Sequence, residues 1–169
     1  MCEASLPEPW LRGTLTDVPA LMRGVLHALE LAREDIEKWC GGLGDGKLNA
    51  KPGGIVPVAF HIRHIARSID RLLTYAEGRT LSAEQMATLK TELQTGATRD
   101  ELFAEFHASL KDASERIRKF DPATFDEPRK VGKRGLPTTL GGLLVHVADH
   151  TQRHVGQAIT TAKIVSAQK

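Results

Sequence analysis

Apolar side chains recur every three or four positions along four long stretches of the chain, a spacing that places them on one face of an α-helix. These stretches run approximately over residues 16–40, 56–75, 98–120 and 138–164. We expect Thr16 or Asp17 to cap the first helix, and the following glycine-rich segment to end it. Four amphipathic helices that each bury one face predict an all-α fold, a four-helix bundle.

Two capping boxes add detail to this pattern. Ser82 and Gln85 form one, which predicts an additional short helix packed outside the main bundle. Thr98 and Glu101 repeat the box at the start of the third long helix, which the Asp-Pro pair after Phe120 is expected to halt. The segment 121–137 holds three prolines and is predicted to be the longest irregular loop, with only a few residues ambiguous for strand.

Composition is that of an ordinary globular protein: 169 residues, of which 41% are apolar and 26% charged. We therefore expect one domain over 1–169, with its core at about 16–165. No run approaches the roughly 18 apolar residues of a membrane helix, and the first residues resemble neither a secretory signal nor a transit peptide. Cys2 and Cys40 have neither metal-like nor redox-like spacing, which fits a reducing compartment. We expect a cytoplasmic protein with no membrane partner.

The charge balance argues against a nucleic-acid partner. The formal net charge is only +2, and the one local basic run, RKVGKRG at 129–135, is a short loop segment. A nucleic-acid-binding domain needs a basic patch or stripe that follows the phosphate backbone. We therefore expect no nucleic-acid binding.

Histidine is the residue type that points to chemistry, because five of the seven fall within 60–64 and 146–154. In the fourth helix His146, His150 and His154 lie four residues apart and so share one side. At roughly 100° per residue, His154, His150 and His146 lie about 40°, 80° and 120° from the apolar stripe. We predict that His150 and His154 face the interior and bind a metal. His146 lies at the edge, too far from His154 to share one ion.

A further imidazole from the second helix, His61 or His64, would complete a site of three nitrogens, which suits zinc or nickel. Three protein ligands leave positions open for water or substrate, the catalytic rather than the structural arrangement. The same helical projection places His61 nearer the core than His64. The alternative is that both are surface residues, in a helix that also carries Arg63, Arg67 and Arg71.

The two histidine segments, HIRHIARS at 61–68 and HVADHTQRHVGQ at 146–157, resemble the DinB-like (DinB/YfiT-like) superfamily. These are bacterial four-helix-bundle proteins with a three-histidine metal site. The resemblance covers essentially the whole chain. It implies that the ligands are His64, which precedes an Ile-Ala-Arg-Ser string, together with His150 and His154.

One position departs from the family pattern. Val155 stands where arginine is usual in the family. The change leaves the ligands intact, but the contacts that the arginine makes in other members are absent here. His61 stays the alternative ligand of the second helix. His61, His146 and Gln157 are the candidates for lining the pocket or supporting the ligands.

The resemblance implies a metal-dependent enzyme that acts on a small-molecule substrate, either an S-transferase that uses a low-molecular-weight thiol or a hydrolase. A divalent ion in an open site lowers the pKa of a bound thiol or water, which supplies a nucleophile at neutral pH. The alternative is a non-catalytic metal-binding stress-response protein whose ion is structural. No acidic residue beside the histidines has the spacing of a general base, since Asp149 projects to the opposite face. His27 and His107 lack a helical partner and are predicted not to be ligands.

We also expect a two-fold homodimer, as is usual in this family. Gly141, Gly142 and Gly156 are small positions in the fourth helix that permit close approach of another helix. Trp10 and Leu11 look too apolar to remain exposed in a monomer.

Overall fold

The computed structural model describes residues 6–168, and Cys2 lies outside them. Within that range six α-helices and one two-stranded antiparallel sheet account for the regular structure apart from three short 3₁₀ turns. The elements are α1 (Ala20–Cys40), α2 (Asp45–Asn49), α3 (Val58–Ala76), α4 (Ala83–Thr91), α5 (Arg99–Ile117), β1 (Pro128–Val131), β2 (Leu136–Thr139) and α6 (Leu140–Ala167). The predicted all-α class is confirmed.

The four long helices, α1, α3, α5 and α6, pack around one core. α6 packs against both α1 and α3, and α3 packs against α5. Each long helix contributes fully buried side chains, among them Ile36, Ile62, Phe106 and Leu144. The amphipathic pattern therefore folds as predicted, because each helix removes its apolar stripe from water against its neighbours.

The two predicted capping boxes are confirmed, whereas the predicted cap of α1 is wrong. In each box the cap side chain, Ser82 or Thr98, accepts a hydrogen bond from the backbone N–H three residues later. The side chain of that later residue, Gln85 or Glu101, accepts one from the backbone N–H of the cap. α1 begins after Pro19, which makes no side-chain capping bond. Thr16 and Asp17 stand earlier, in a turn that the bond from Val18 N–H to the Leu15 carbonyl closes.

The segment 121–137 is not wholly irregular, so that prediction needs correction. β1 pairs with β2 in a hairpin whose register joins Pro128 to Thr139 and Val131 to Leu136. The strands are only four residues long and each contains a proline, which hides the alternation that marks a strand. α5 also ends at Ile117, before the Asp-Pro pair expected to halt it.

Two of the three glycines on α6 are explained within a single chain. A Cβ atom on Gly141 would lie 3.2 Å from the Phe125 carbonyl oxygen, and one on Gly142 only 2.9 Å from Thr138 Oγ1. Gly156 has no such neighbour. Trp10 is 62% exposed and Leu11 56% exposed in the isolated chain. The homodimer stays a prediction, since nothing in one chain tests it.

None of the helices in the described part of the chain combines the length and the apolar character that crossing a membrane requires.

Candidate metal centre

Four histidines meet where α3 packs against α6, and we call them the histidine centre: His61, His64, His150 and His154. Each helix contributes two rings from one side, because residues three or four apart project in similar directions. The ring centroids of His64 and His154 are 4.4 Å apart, and those of His150 and His154 are 4.6 Å apart. Helix packing thus brings together two segments that are distant in sequence.

Three of these rings can face a single ion. His64, His150 and His154 each offer one ring nitrogen, and these nitrogens all lie within 4.8 Å of one another. The Nε2 atoms of His64 and His150 are only 2.9 Å apart. This is the set implied by the sequence resemblance. The structure brings the three together, and their binding of an ion stays a prediction.

His61 lies deeper than His64, as the helical projection indicates, yet it stands outside the three-histidine group. It is buried, and its Nδ1 lies 3.1 Å from Nδ1 of His154, so that one of these nitrogens donates to the other. Phe60 stacks on His64 at 5.2 Å between ring centroids and contacts His61 edge-on at 5.3 Å. His61 therefore contacts His154, a candidate ligand, without belonging to the three-histidine group itself.

The remaining histidines do not join this group in the described residues. His146 is exposed, with its Nδ1 3.7 Å from the Asp149 carboxylate. Asp149 is itself exposed, as expected for a residue on the opposite face of α6. His27 is buried against the Thr14 hydroxyl at 3.1 Å, and His107 is exposed on α5.

Glu92, a buried carboxylate just after α4, completes the surroundings of His64. Its Oε2 lies 2.7 Å from His64 Nδ1, and its Oε1 accepts a hydrogen bond of 2.5 Å from Arg71. A carboxylate that accepts a hydrogen bond from Nδ1–H leaves Nε2 of the same ring free to bind a metal. The alternative that His61 and His64 are both surface residues is wrong, because His61 is buried and the side chain of His64 is only 17% exposed.

Sequence reasoning missed Glu92 because no local pattern marks it. The capping box at Ser82 fixes where α4 begins, but α4 buries none of its own residues, so no apolar stripe shows which face packs inward. Glu92 lies one residue beyond the helix and reaches the site only through contacts with α3. Such placement depends on how α4 packs, which a helical projection does not contain.

The electrostatics of the centre favour neutral imidazoles. Burial, reinforced by the neighbouring histidines, lowers the pKa of His61, His150 and His154 to about 4. For Glu92, burial opposes ionisation, but the hydrogen bonds from His64 and Arg71 outweigh it and hold its pKa below the usual range. At neutral pH the rings of His61, His150 and His154 are therefore uncharged, while Glu92 carries a negative charge.

The histidine centre lies between two open cavities. One, of about 500 Å³, is lined by His61 and His154 together with Phe60 and Gln157. The other, of about 240 Å³, is lined by His64, His146 and His150 together with Tyr75. The three residues proposed to line a pocket, His61, His146 and Gln157, thus all border a cavity that touches the centre.

The donor set fits a borderline divalent ion. Imidazole nitrogens suit zinc, nickel and related transition ions. Such an ion binds the lone pair of a ring nitrogen, so that nitrogen must not carry a proton. Glu92 makes a carboxylate–histidine contact of the kind that holds metal-binding imidazoles in orientation. Three nitrogens and adjoining space also leave room for a further ligand.

Comparison with known proteins agrees with this geometry. A family model described as the DinB superfamily matches residues 28–158, a span that runs from α1 through most of α6 and includes the whole histidine centre. No curated protein matches the chain. On the strength of the family match, this chain belongs to the DinB superfamily.

Proposed function

We propose that the chain binds a divalent transition ion, zinc or nickel, through His64, His150 and His154, and that it is a metal-dependent enzyme acting on a small molecule. The observation that carries the proposal is the convergence of three histidine rings, each with one ring nitrogen within 4.8 Å of the others, beside two open cavities. Membership of the DinB superfamily is compatible with metal binding at these residues.

We propose thiol transfer as the reaction class, with small-molecule hydrolysis as the second possibility within the same chemistry. A bound divalent ion lowers the pKa of a thiol or a water and so supplies the nucleophile. A low-molecular-weight thiol is the cosubstrate that this reaction needs. The chain's own residues hold the ligand rings, through Glu92 and His61, and form the walls of the space beside them.

The larger cavity has the character of a small-molecule site. Ile55, Val56 and Phe60 supply apolar wall, while Gln157 and Thr160 supply polar groups that can orient a ligand. Cavities of roughly 300–1,000 Å³ with this mixture are typical of such sites. His154 lies in the wall, so a molecule bound there reaches a candidate metal ligand directly.

The cavities also weigh against a purely structural ion. A structural zinc site is closed by four protein ligands, whereas a catalytic one keeps a position for water or substrate. Here the described residues bring three histidines together beside open space. This favours the enzyme over the non-catalytic metal-binding protein.

The test begins with elemental analysis of the purified protein and of the variants His64→Ala and His150→Ala. We expect one transition ion per chain in the unaltered protein and its loss from both variants. The loaded protein is then assayed with several small thiols and an activated organic halide, and separately with ester and amide substrates. Full metal occupancy in either variant would contradict the ligand set, and a loaded protein inactive in every assay would favour the structural alternative.

A further inference from the structure

Three arginines of α3 hold the end of α4 against the histidine centre. Arg63 donates to the carbonyls of Glu92 and Gln94 at 3.2 and 2.6 Å, and Arg67 donates to the Thr88 carbonyl at 3.2 Å. Their spacing of four residues places them along one side of α3. Positive groups at the C-terminal carbonyls of a helix are favourable, because those carbonyls carry partial negative charge.

The third arginine, Arg71, binds the side chain of Glu92 rather than the backbone. It donates to Oε1 at 2.5 Å, and the other oxygen of the same carboxylate, Oε2, lies against His64. Since α4 buries no residue of its own, these polar contacts place Glu92. The backbone bonds from Arg63 fix the main chain of Glu92, and Arg71 fixes its carboxylate.

We infer that Glu92 is the positioning residue of the metal site, and that it acts by fixing the tautomer of His64. This inference rests on the proposed metal-binding function. A carboxylate accepts hydrogen bonds and cannot donate them, so at 2.7 Å the proton lies on Nδ1 of His64. The lone pair on Nε2 is then directed at the other two ligands. Glu92 itself supplies no atom to the group of three nitrogens.

An amide at this position reverses the arrangement, which gives a sharp test. In Glu92→Gln the amide has nearly the same shape, and the charged Arg71 takes its oxygen. The amide nitrogen then faces His64 and donates to Nδ1, which forces the ring proton onto Nε2. Nε2 of His64 then carries a proton and has no free lone pair with which to bind the ion.

The first readout needs no metal. Long-range ¹⁵N–¹H correlation spectra of the metal-free protein at neutral pH report which nitrogen of His64 carries the proton. We expect Nδ1–H in the unaltered protein and Nε2–H in Glu92→Gln. The informative result is Nδ1–H in the unaltered protein, because an imidazole released from Glu92 can carry its proton on either nitrogen. An Nε2–H tautomer in the unaltered protein would overturn the inference without any variant.

The second readout is zinc affinity by competition with a chromophoric chelator. Removing a group that orients a metal-binding histidine costs about 10- to 100-fold in affinity, which is the loss expected for Glu92→Gln. The matched control is Glu105→Gln, because Glu105 also pairs with an α3 arginine, Arg67, but makes no hydrogen bond to the histidines. The control is expected to stay within about twofold of the unaltered protein.

The outcomes separate the two proposals. An unaltered protein that takes up no zinc contradicts the proposed function, whatever the tautomer of His64. An unaltered protein that binds zinc while Glu92→Gln binds it equally tightly overturns the role of Glu92 alone. Equal losses in Glu92→Gln and Glu105→Gln also overturn it, since the effect would then be one of general charge.

Discussion

Two polar clusters border α3, and they differ in chemistry: one pairs groups of opposite charge, whereas the other brings together four rings of the same kind. The first, here called the Arg116 cluster, consists of Arg116 with Asp70, Glu77 and Asp112. The Arg116 guanidinium donates to Glu77 at 2.6 Å, to Asp70 at 2.7 Å and to Asp112 at 3.1 Å. In the histidine centre, by contrast, ring nitrogens face other ring nitrogens at 2.9 and 3.1 Å.

The difference separates a stabilising network from a binding site. Although burial opposes its charge, hydrogen bonds to Glu77 and Asp70 raise the pKa of Arg116, so opposite charges hold one another in place. The imidazoles are alike, and no opposite charge offsets their burial: burial, reinforced by the neighbouring rings, lowers the pKa of His150 and His154. Clustered groups with lowered pKa beside cavities are typical of functional sites. We therefore expect changes in the Arg116 cluster to alter stability, and changes in the histidine centre to alter binding.

The largest expected effect separates two histidines of the same helix. His154→Ala should weaken zinc binding by about 3 kcal/mol, roughly a hundredfold, since structural sites of several ligands gain ~10–16 kcal/mol in all. His146→Ala is the matched control, because this exposed ring stands outside the three-histidine group. Zinc competition titrations measure both. Equal weakening in the two variants would show that the register of the site along α6 is wrong.

A second change tests the Arg116 cluster. Arg116→Ala removes the ion pairs of Arg116 with Asp70 and Glu77, both partly buried, and we expect it to lower the free energy of unfolding by about 2 kcal/mol. Zinc affinity should not change. Arg79→Ala is the control, since its ion pair with Glu77 is exposed on the arginine side and should cost under about 1 kcal/mol. Urea denaturation of the metal-free proteins gives the stabilities. A zinc affinity that falls with Arg116→Ala would remove the distinction between the clusters.

The smallest expected effect is a pH dependence of the metal-free protein. The pKa of His61, His150 and His154 is about 4 in the folded chain, against a usual value of 6.5, so the unfolded chain binds more protons between these values. The stability from these neutral rings is present above about pH 6.5 and is lost as the pH falls towards 4. Between pH 7 and 5.5 we expect a loss of about 1–2 kcal/mol, allowing for partial exposure of the rings.

Urea denaturation across this pH range measures the effect. His150→Ala removes one of the depressed groups and should show a smaller loss on acidification. A free energy of unfolding that stays constant between pH 7 and 5.5 would mean that these rings are not held neutral by the fold.

The sequence predicts those features that local pattern determines. Helix periodicity reports which face is buried, so the four long helices follow from apolar spacing, and the capping boxes at Ser82 and Thr98 fix two helix starts. The hairpin of β1 and β2 escapes this reasoning, because prolines and short length mask its alternation. The start of α1 after Pro19 depends on a turn rather than on a capping side chain.

The candidate site also contains residues that local pattern predicts and one that it does not. In the sequence the motif favours His64 and the helical projection favours His61, and each describes part of the structure. His61 is the more deeply buried ring, and His64 joins His150 and His154. A projection reports burial, whereas closeness to α6 depends on how the two helices pack. Glu92 could not be predicted, because its position depends on hydrogen bonds from the arginines of α3. The preceding helix, α4, has no apolar stripe that would show which way it packs.

The most direct measurement of the central claim is X-ray absorption spectroscopy at the edge of the ion bound to the purified protein. We expect three imidazole nitrogens at about 2.0–2.1 Å, the usual zinc–histidine distance, with the scattering pattern of three imidazole rings. The remaining ligands should be light atoms from water or substrate. A spectrum with sulfur ligands, or with fewer than two imidazoles, would contradict the assignment of His64, His150 and His154 as the metal site.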